Sequence, residues 1–154
     1  MIGYVRIVVR STYDEFLSGE PVAVIGASDR RGNFGAVIYR ALREKSYDVY
    51  PVNPNADTVA GDRCYGTIDD IPTNVTSAII AVSPTLALSM IEALSSGGVR
   101  KIWFQRGADF RIPALRAREL GMQTFEGRCI LMHTDSVRGV HAVHRFLAKI
   151  TGNL

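Results

Sequence analysis

The sequence predicts a doubly wound α/β fold, a mostly parallel sheet with helices on both faces. Three observations carry that prediction. Short apolar runs at 22–25, 77–82 and 101–104 show little polar alternation, as strands buried on both faces require. Segments of helical periodicity lie between these runs, so strands and helices alternate along the chain. Glycine, proline or asparagine stands just beyond the end of most runs, where a chain leaving a sheet must turn.

Taken in order, residues 1–10 are compatible with an extra edge strand or with a start artefact. Ser11 or Thr12 can cap a short helix over 13–17, ended by Gly19 and Pro21. The stretch 21–44 is the centre of the design. Val22, Ala23, Val24 and Ile25 form a buried strand, Gly26-Ala27-Ser28 stops it, and Val37, Ile38, Ala41 and Leu42 then recur at helical spacing. Strand, glycine-rich loop and helix in that order place backbone N–H groups and the positive end of a helix dipole where a phosphate can sit.

Residues 48–52 are predicted as the second strand, closed by Asn53-Pro54-Asn55. Residues 58–65 are expected to be a short irregular connection with a stub of strand at Cys64 and Tyr65, and 68–71 a single helical turn. The third strand is expected over 77–82. Ser83-Pro84 then opens a helix to about Ser95, ended by Gly97-Gly98. The fourth strand is 101–104, followed by Gln105-Arg106-Gly107, a helix over 113–120 and a fifth strand over 122–125. Asp135 or Ser136 can cap a last helix to about Ile150, with Val137, Val140, Val143, Leu147 and Ile150 on one face. No linker, repeat or low-complexity segment interrupts the 154 residues, so one domain is expected, with its core over about 21–133 and the terminal elements appended.

Composition narrows the function classes. Apolar residues make up 47% and charged residues 21%, and the net charge is +3. The 18 basic residues are spread along the chain rather than massed, which suits a small anionic ligand and gives no basic stripe for nucleic acid. No apolar stretch approaches the roughly 20 residues of a membrane span, and the start lacks the small-residue cleavage site of a signal peptide. A cytoplasmic location is therefore expected. Cys64 and Cys129 lie far apart without a C-x-x-C pair, as two reduced thiols would. Burial as small hydrophobes is their expected state; a mixed disulfide with a thiol ligand is the alternative. The histidines His133, His141 and His144 match no recognised metal-ligand spacing.

The loop chemistry is specific. A dinucleotide fingerprint needs G-x-G-x-x-G, and Ser28 stands where its second glycine would be. No Gly-Lys-Ser/Thr follows, so it is not a Walker loop. After the second strand, Asn53 stands where an NAD-binding domain carries an acid for the ribose hydroxyls. The strands' carboxyl ends are expected to line one crevice.

Those strand ends carry a resemblance. G-A-S at Gly26, the Gly32 and Gly35 loop, Y-P-V-N-P at Tyr50, Cys64-Tyr65, W-F-Q-x-G at Trp103 and Arg128-Cys129 together resemble the stand-alone coenzyme A-binding domain proteins. These are similar to the amino-terminal domain of the succinyl-CoA synthetase α subunit without the domains that do its chemistry. The resemblance covers about 21–133 and implies a Rossmann-like domain that binds coenzyme A or a short acyl-CoA without catalysis of its own. It implies that Gly26, Ala27 and Ser28 lie near the CoA phosphates, with Asn33, Phe34 and Gly35 continuing the loop. Asn53, Pro54, Val82, Ser83, Pro84, Gln105 and Gly107 match the other tips, and Arg30 is a candidate phosphate partner. Two departures stand out: Asn55 replaces a lysine that some relatives carry after the Asn-Pro, and Arg106 occupies a position more often apolar. A small NAD(P)-dependent reductase and a scaffold with a decayed nucleotide site are the rival readings. A homo-oligomer is compatible with the sequence, and the protein partner and acyl group are left open.

Overall fold

A computed structural model describes residues 14–134. Four buried residues, Val22–Ile25, form β1. The chain continues through α1 (Phe34–Glu44), β2 (Val49–Val52), β3 (Thr58–Val59), β4 (Asp62–Arg63), β5 (Ser77–Ile80), α2 (Pro84–Ser96), β6 (Lys101–Phe104), α3 (Arg111–Glu119) and β7 (Gln123–Phe125). Single 3-10 turns cover Asp14–Leu17, Ile68–Asp70 and Ile130–Met132. The expected elements at 1–10 and 135–150, with His141 and His144, lie outside the described residues.

The main sheet has five strands in the order β2-β1-β5-β6-β7, every pairing parallel. Val22 faces Val49 on one side and Ser77 on the other, so the strands start level and their carboxyl ends share one edge. The chain leaves β1 toward β2, then crosses back to place β5 on β1's other flank. The topological switch point therefore lies between β1 and β5, where parallel sheets of this kind open a crevice.

Alternate residues feed two cores, as the period of a strand dictates. Val24, Ile79, Trp103 and Phe125 pack with Val37, Ile38 and Leu42 of α1 on one face. Ala23, Ile25, Ile80, Ile102 and Phe104 pack with Ala87, Ile91 and Leu94 of α2 and Ala114 and Ala117 of α3 on the other. Helices thus cover both faces, as predicted. Trp103 and Phe125 stack at 5.6 Å between ring centroids, and the Trp103 indole N–H donates to the Arg128 carbonyl at 3.1 Å.

Two local expectations are corrected. Residues 58–65 are not merely irregular: β3 and β4 form a tight antiparallel hairpin whose turn residues Ala60 and Gly61 have φ of 52° and 83°, the signs a two-residue primed turn demands. Tyr65 then makes a lone parallel bridge to Val52. The helix expected from Pro113 begins earlier, at Arg111, because the Asp109 carboxylate accepts from the Arg111 N–H at 3.1 Å and starts the first turn. Pro113 sits within that turn, where an N–H has no intrahelical acceptor to lose.

Candidate functional site

The loop from β1 to α1 is organised by a single side-chain amide. Asn33 is the N-cap of α1, and its Oδ1 accepts from the Ala36 N–H at 2.8 Å and the Ser28 N–H at 3.1 Å. Its Nδ2 donates back to the Gly26 carbonyl at 2.9 Å. One residue therefore ties the end of the strand to the start of the helix, and the first-turn amides of Phe34 and Gly35 are left without intrahelical acceptors. The Ser28 hydroxyl accepts from the Arg30 N–H at 3.2 Å and stiffens the bend between them.

Two glycines are required on steric grounds. A Cβ on Gly35 would lie 2.9 Å from both the Cα and the N of Ala27, so the helix approaches the loop as closely as a backbone allows. Gly26 has φ of +93°, and a Cβ there would meet a Val82 methyl at 2.4 Å and the Ala81 carbonyl oxygen at 2.9 Å. Those contacts lie across the switch point. Gly32 serves a turn only, with φ of +79° and open space around it.

The tip after β2 is bound to the loop. Asn53 Nδ2 donates to the Ala27 carbonyl at 3.0 Å, and Asn53 Oδ1 accepts from the Asn55 N–H at 2.9 Å. Beneath it the buried Cys64 thiol donates to the Asn53 carbonyl at 3.8 Å. Burial, the largest influence on it, pushes that thiol up from its ordinary pKa. Cys64 is thus a packed thiol, as expected; Cys129 is half-buried against the α1-side core.

A cavity of about 490 Å³ opens here, lined by Ser28, Arg30, Asn33 and Asn53 and also by Asp29, Asn55, Ala56, Asp57 and Thr58. That volume lies within the range of small-molecule sites. Asp29, which sequence reasoning passed over, latches the loop to the hairpin: it pairs with Arg40 at 3.0 Å and accepts from the Ala60 N–H at 3.0 Å. The Arg30 side chain has no ion-pair partner among the described residues. The far wall, Asp57 and Thr58, comes from the approach to the hairpin and carried no signal in the sequence beyond its polarity.

The expected single crevice is divided. Gln105 and Gly107 line a second hollow of about 240 Å³ at the end of β6, together with Phe104, Arg106, Phe110 and others. Gln105 is buried and its side-chain carbonyl accepts from the Ile130 N–H at 3.1 Å, so it braces the chain after β7. Val82, Ser83 and Pro84 lie between the hollows and line neither. Ser83 is the N-cap of α2, its hydroxyl accepting from the Leu86 N–H at 3.3 Å. Ala27 is fully buried and offers only its backbone, Phe34 is partly buried on the α1-side core, and Pro54 is exposed. Among the described residues no group of three or more His, Cys, Asp or Glu side chains is placed to hold a metal, and no helix is long and apolar enough to cross a membrane.

A five-stranded parallel sheet with a capped glycine loop at its switch point defines a nucleotide-type binding domain. The chain belongs to the CoA binding domain family, whose model matches residues 20–135. A conserved hypothetical protein from Pyrococcus furiosus has a similar structure, with a TM-score of 0.68 at 31% identity over 73% of this chain and 97% of its own. A hypothetical protein from Pyrococcus horikoshii gives a TM-score of 0.72 at 28% identity, over 86% of this chain and 96% of its own. Among curated proteins, the ADP-forming 4-hydroxybutyrate–CoA ligase of Nitrosopumilus maritimus is 37% identical over 82 residues. That match takes in 53% of this chain but spans only 12% of the ligase.

Proposed function

We propose that this domain binds coenzyme A or a short acyl-CoA and does no chemistry on it. The observation that carries the reading is the Asn33-tied loop at the switch point, with its cavity of about 490 Å³. CoA is a 3′-phosphorylated ADP with a long pantetheine arm, so it needs an anion site and a groove leading away from it. The first-turn amides of α1 and Arg30, which has no ion-pair partner among the described residues, supply the anion site, each favourable charge near a helix start contributing roughly 0.3–1 kcal/mol. Ser28 and Asp57 supply polar partners for the nucleoside.

The reductase reading is the weaker one. Asn53 stands where the ribose-binding acid of an NAD domain would be, and both ends of its amide are already bonded within the chain. In support of a non-catalytic role, no histidine or cysteine lines the cavity among the described residues, and Cys64 lies packed beneath it with a raised pKa.

Calorimetric titration with CoA, 3′-dephospho-CoA and NAD⁺ in one buffer tests the proposal. CoA is expected to bind, more tightly than the other two. Binding of NAD⁺ without CoA would transfer the assignment to the reductase reading, and no binding by any of them would leave a scaffold with a decayed site.

A further inference from the structure

The second hollow has a composition that the nucleotide does not account for. Its floor is apolar, with Phe104 and Phe110 stacked at 5.2 Å between centroids. Its volume of about 240 Å³ is room for about eight water-sized groups, the scale of a short acyl chain. Four charged side chains line it, two of each sign, but they are not equally engaged. Asp109 is held by Arg111 through bonds of 2.6–3.0 Å, a grip that keeps its carboxyl down at about 2. Glu126 is paired with Arg118 at 2.5 Å. Arg106 alone of the four has no ion-pair partner among the described residues, so its guanidinium is the lining charge open to a ligand.

The hollow also lies where the far end of the proposed ligand would reach. β1 and β6 are separated by β5 alone, so their tips are about 10 Å apart on the same edge of the sheet. An extended pantetheine arm leaving the loop after β1 spans that gap. We infer that the hollow after β6 is an acyl subsite, and that Arg106 selects acyl groups ending in a carboxylate. The apolar floor takes the methylene carbons and the guanidinium takes the terminal charge. This inference rests on the CoA reading of the first cavity and adds the class of acyl group to it.

The test uses two acyl-CoAs of equal chain length, butyryl-CoA and succinyl-CoA, beside free CoA, titrated into the wild-type chain, Arg106→Leu and Arg106→Lys. Wild type is expected to bind succinyl-CoA about fivefold more tightly than butyryl-CoA at low ionic strength, the size of a well-placed exposed ion pair. The preference should shrink in salt. Arg106→Leu should erase it while leaving free CoA binding unchanged, which also shows that the variant is folded, and Arg106→Lys should retain part of it. Equal binding of the two acyl-CoAs by wild type, or a preference that survives in Arg106→Leu, overturns the acyl subsite while the CoA reading stands. Failure of all three ligands with wild type overturns both.

Discussion

Asn33 does three jobs with one amide, and its loss should show in two measurements. Removing the N-cap alone costs about 1 kcal/mol, and Asn33→Ala also strips the protein partners from the Ser28 N–H and the Gly26 carbonyl. A total near 2 kcal/mol is therefore expected as a lower urea midpoint with an unchanged slope. CoA affinity should fall in the same variant, because the loop no longer arrives pre-shaped. An unaltered midpoint would mean that loop and helix are held by other contacts. The residue was legible in the sequence: a capping type two positions before a glycine, at the start of an apolar helical repeat. Gln105 was not. It follows an apolar strand as the polar loop after β1 does, and both Gln105 and Ser28 are buried, so only the partner, the Ile130 N–H, shows that Gln105 braces the chain.

At the scale of elements, the β3–β4 hairpin is clamped to α1 through Asp62. The carboxylate accepts from the Tyr39 hydroxyl at 2.6 Å and pairs with Arg43 at 2.5 Å. Tyr39 is consequently held well above an ordinary phenol, by burial first and by the bond to Asp62 second. A group raised in this way contributes stability fully below its unfolded pKa and loses it as pH climbs toward the folded value. Cys64 is raised too, so the same sign applies from a lower starting pH. Stability should hold between pH 7 and about 8.5, then decline through the cysteine and tyrosine ranges. Tyr39→Phe should cost about 1 kcal/mol at neutral pH, and its alkaline decline above about pH 10 should be shallower than wild type's. Urea midpoints of both proteins across that range provide the check, and parallel curves would exclude Tyr39 from the effect. The three main strands with continuous apolar runs were readable because burial on both faces leaves no alternative pattern. This hairpin was not, because each strand has only two residues and Ala60 occupies a positive-φ position usually given to glycine or asparagine.

For the molecule as a whole, the parallel order brings all five main strand tips to one edge, so a ligand across them would tie together segments far apart in sequence. Such a ligand binds only the folded chain. At a hundredfold excess over its Kd, CoA should add about 2.7 kcal/mol, a rise in Tm of about 5–10 °C for a domain of this size. Thermal melts with and without CoA measure it, and an unchanged Tm at saturating ligand would contradict binding at the folded edge. The close approach at the switch point has a different bearing, on descent. Gly26 is barred to every other residue by Val82 and the Ala81 carbonyl whatever the ligand is, and Gly35 is barred likewise by the Ala27 backbone. Arg30 and Arg31 carry no such constraint, being exposed with no packing role. A lineage carrying this fold is free to exchange the small molecule it recognises by drifting at those loop positions, while the backbone bend that receives it is inherited unaltered.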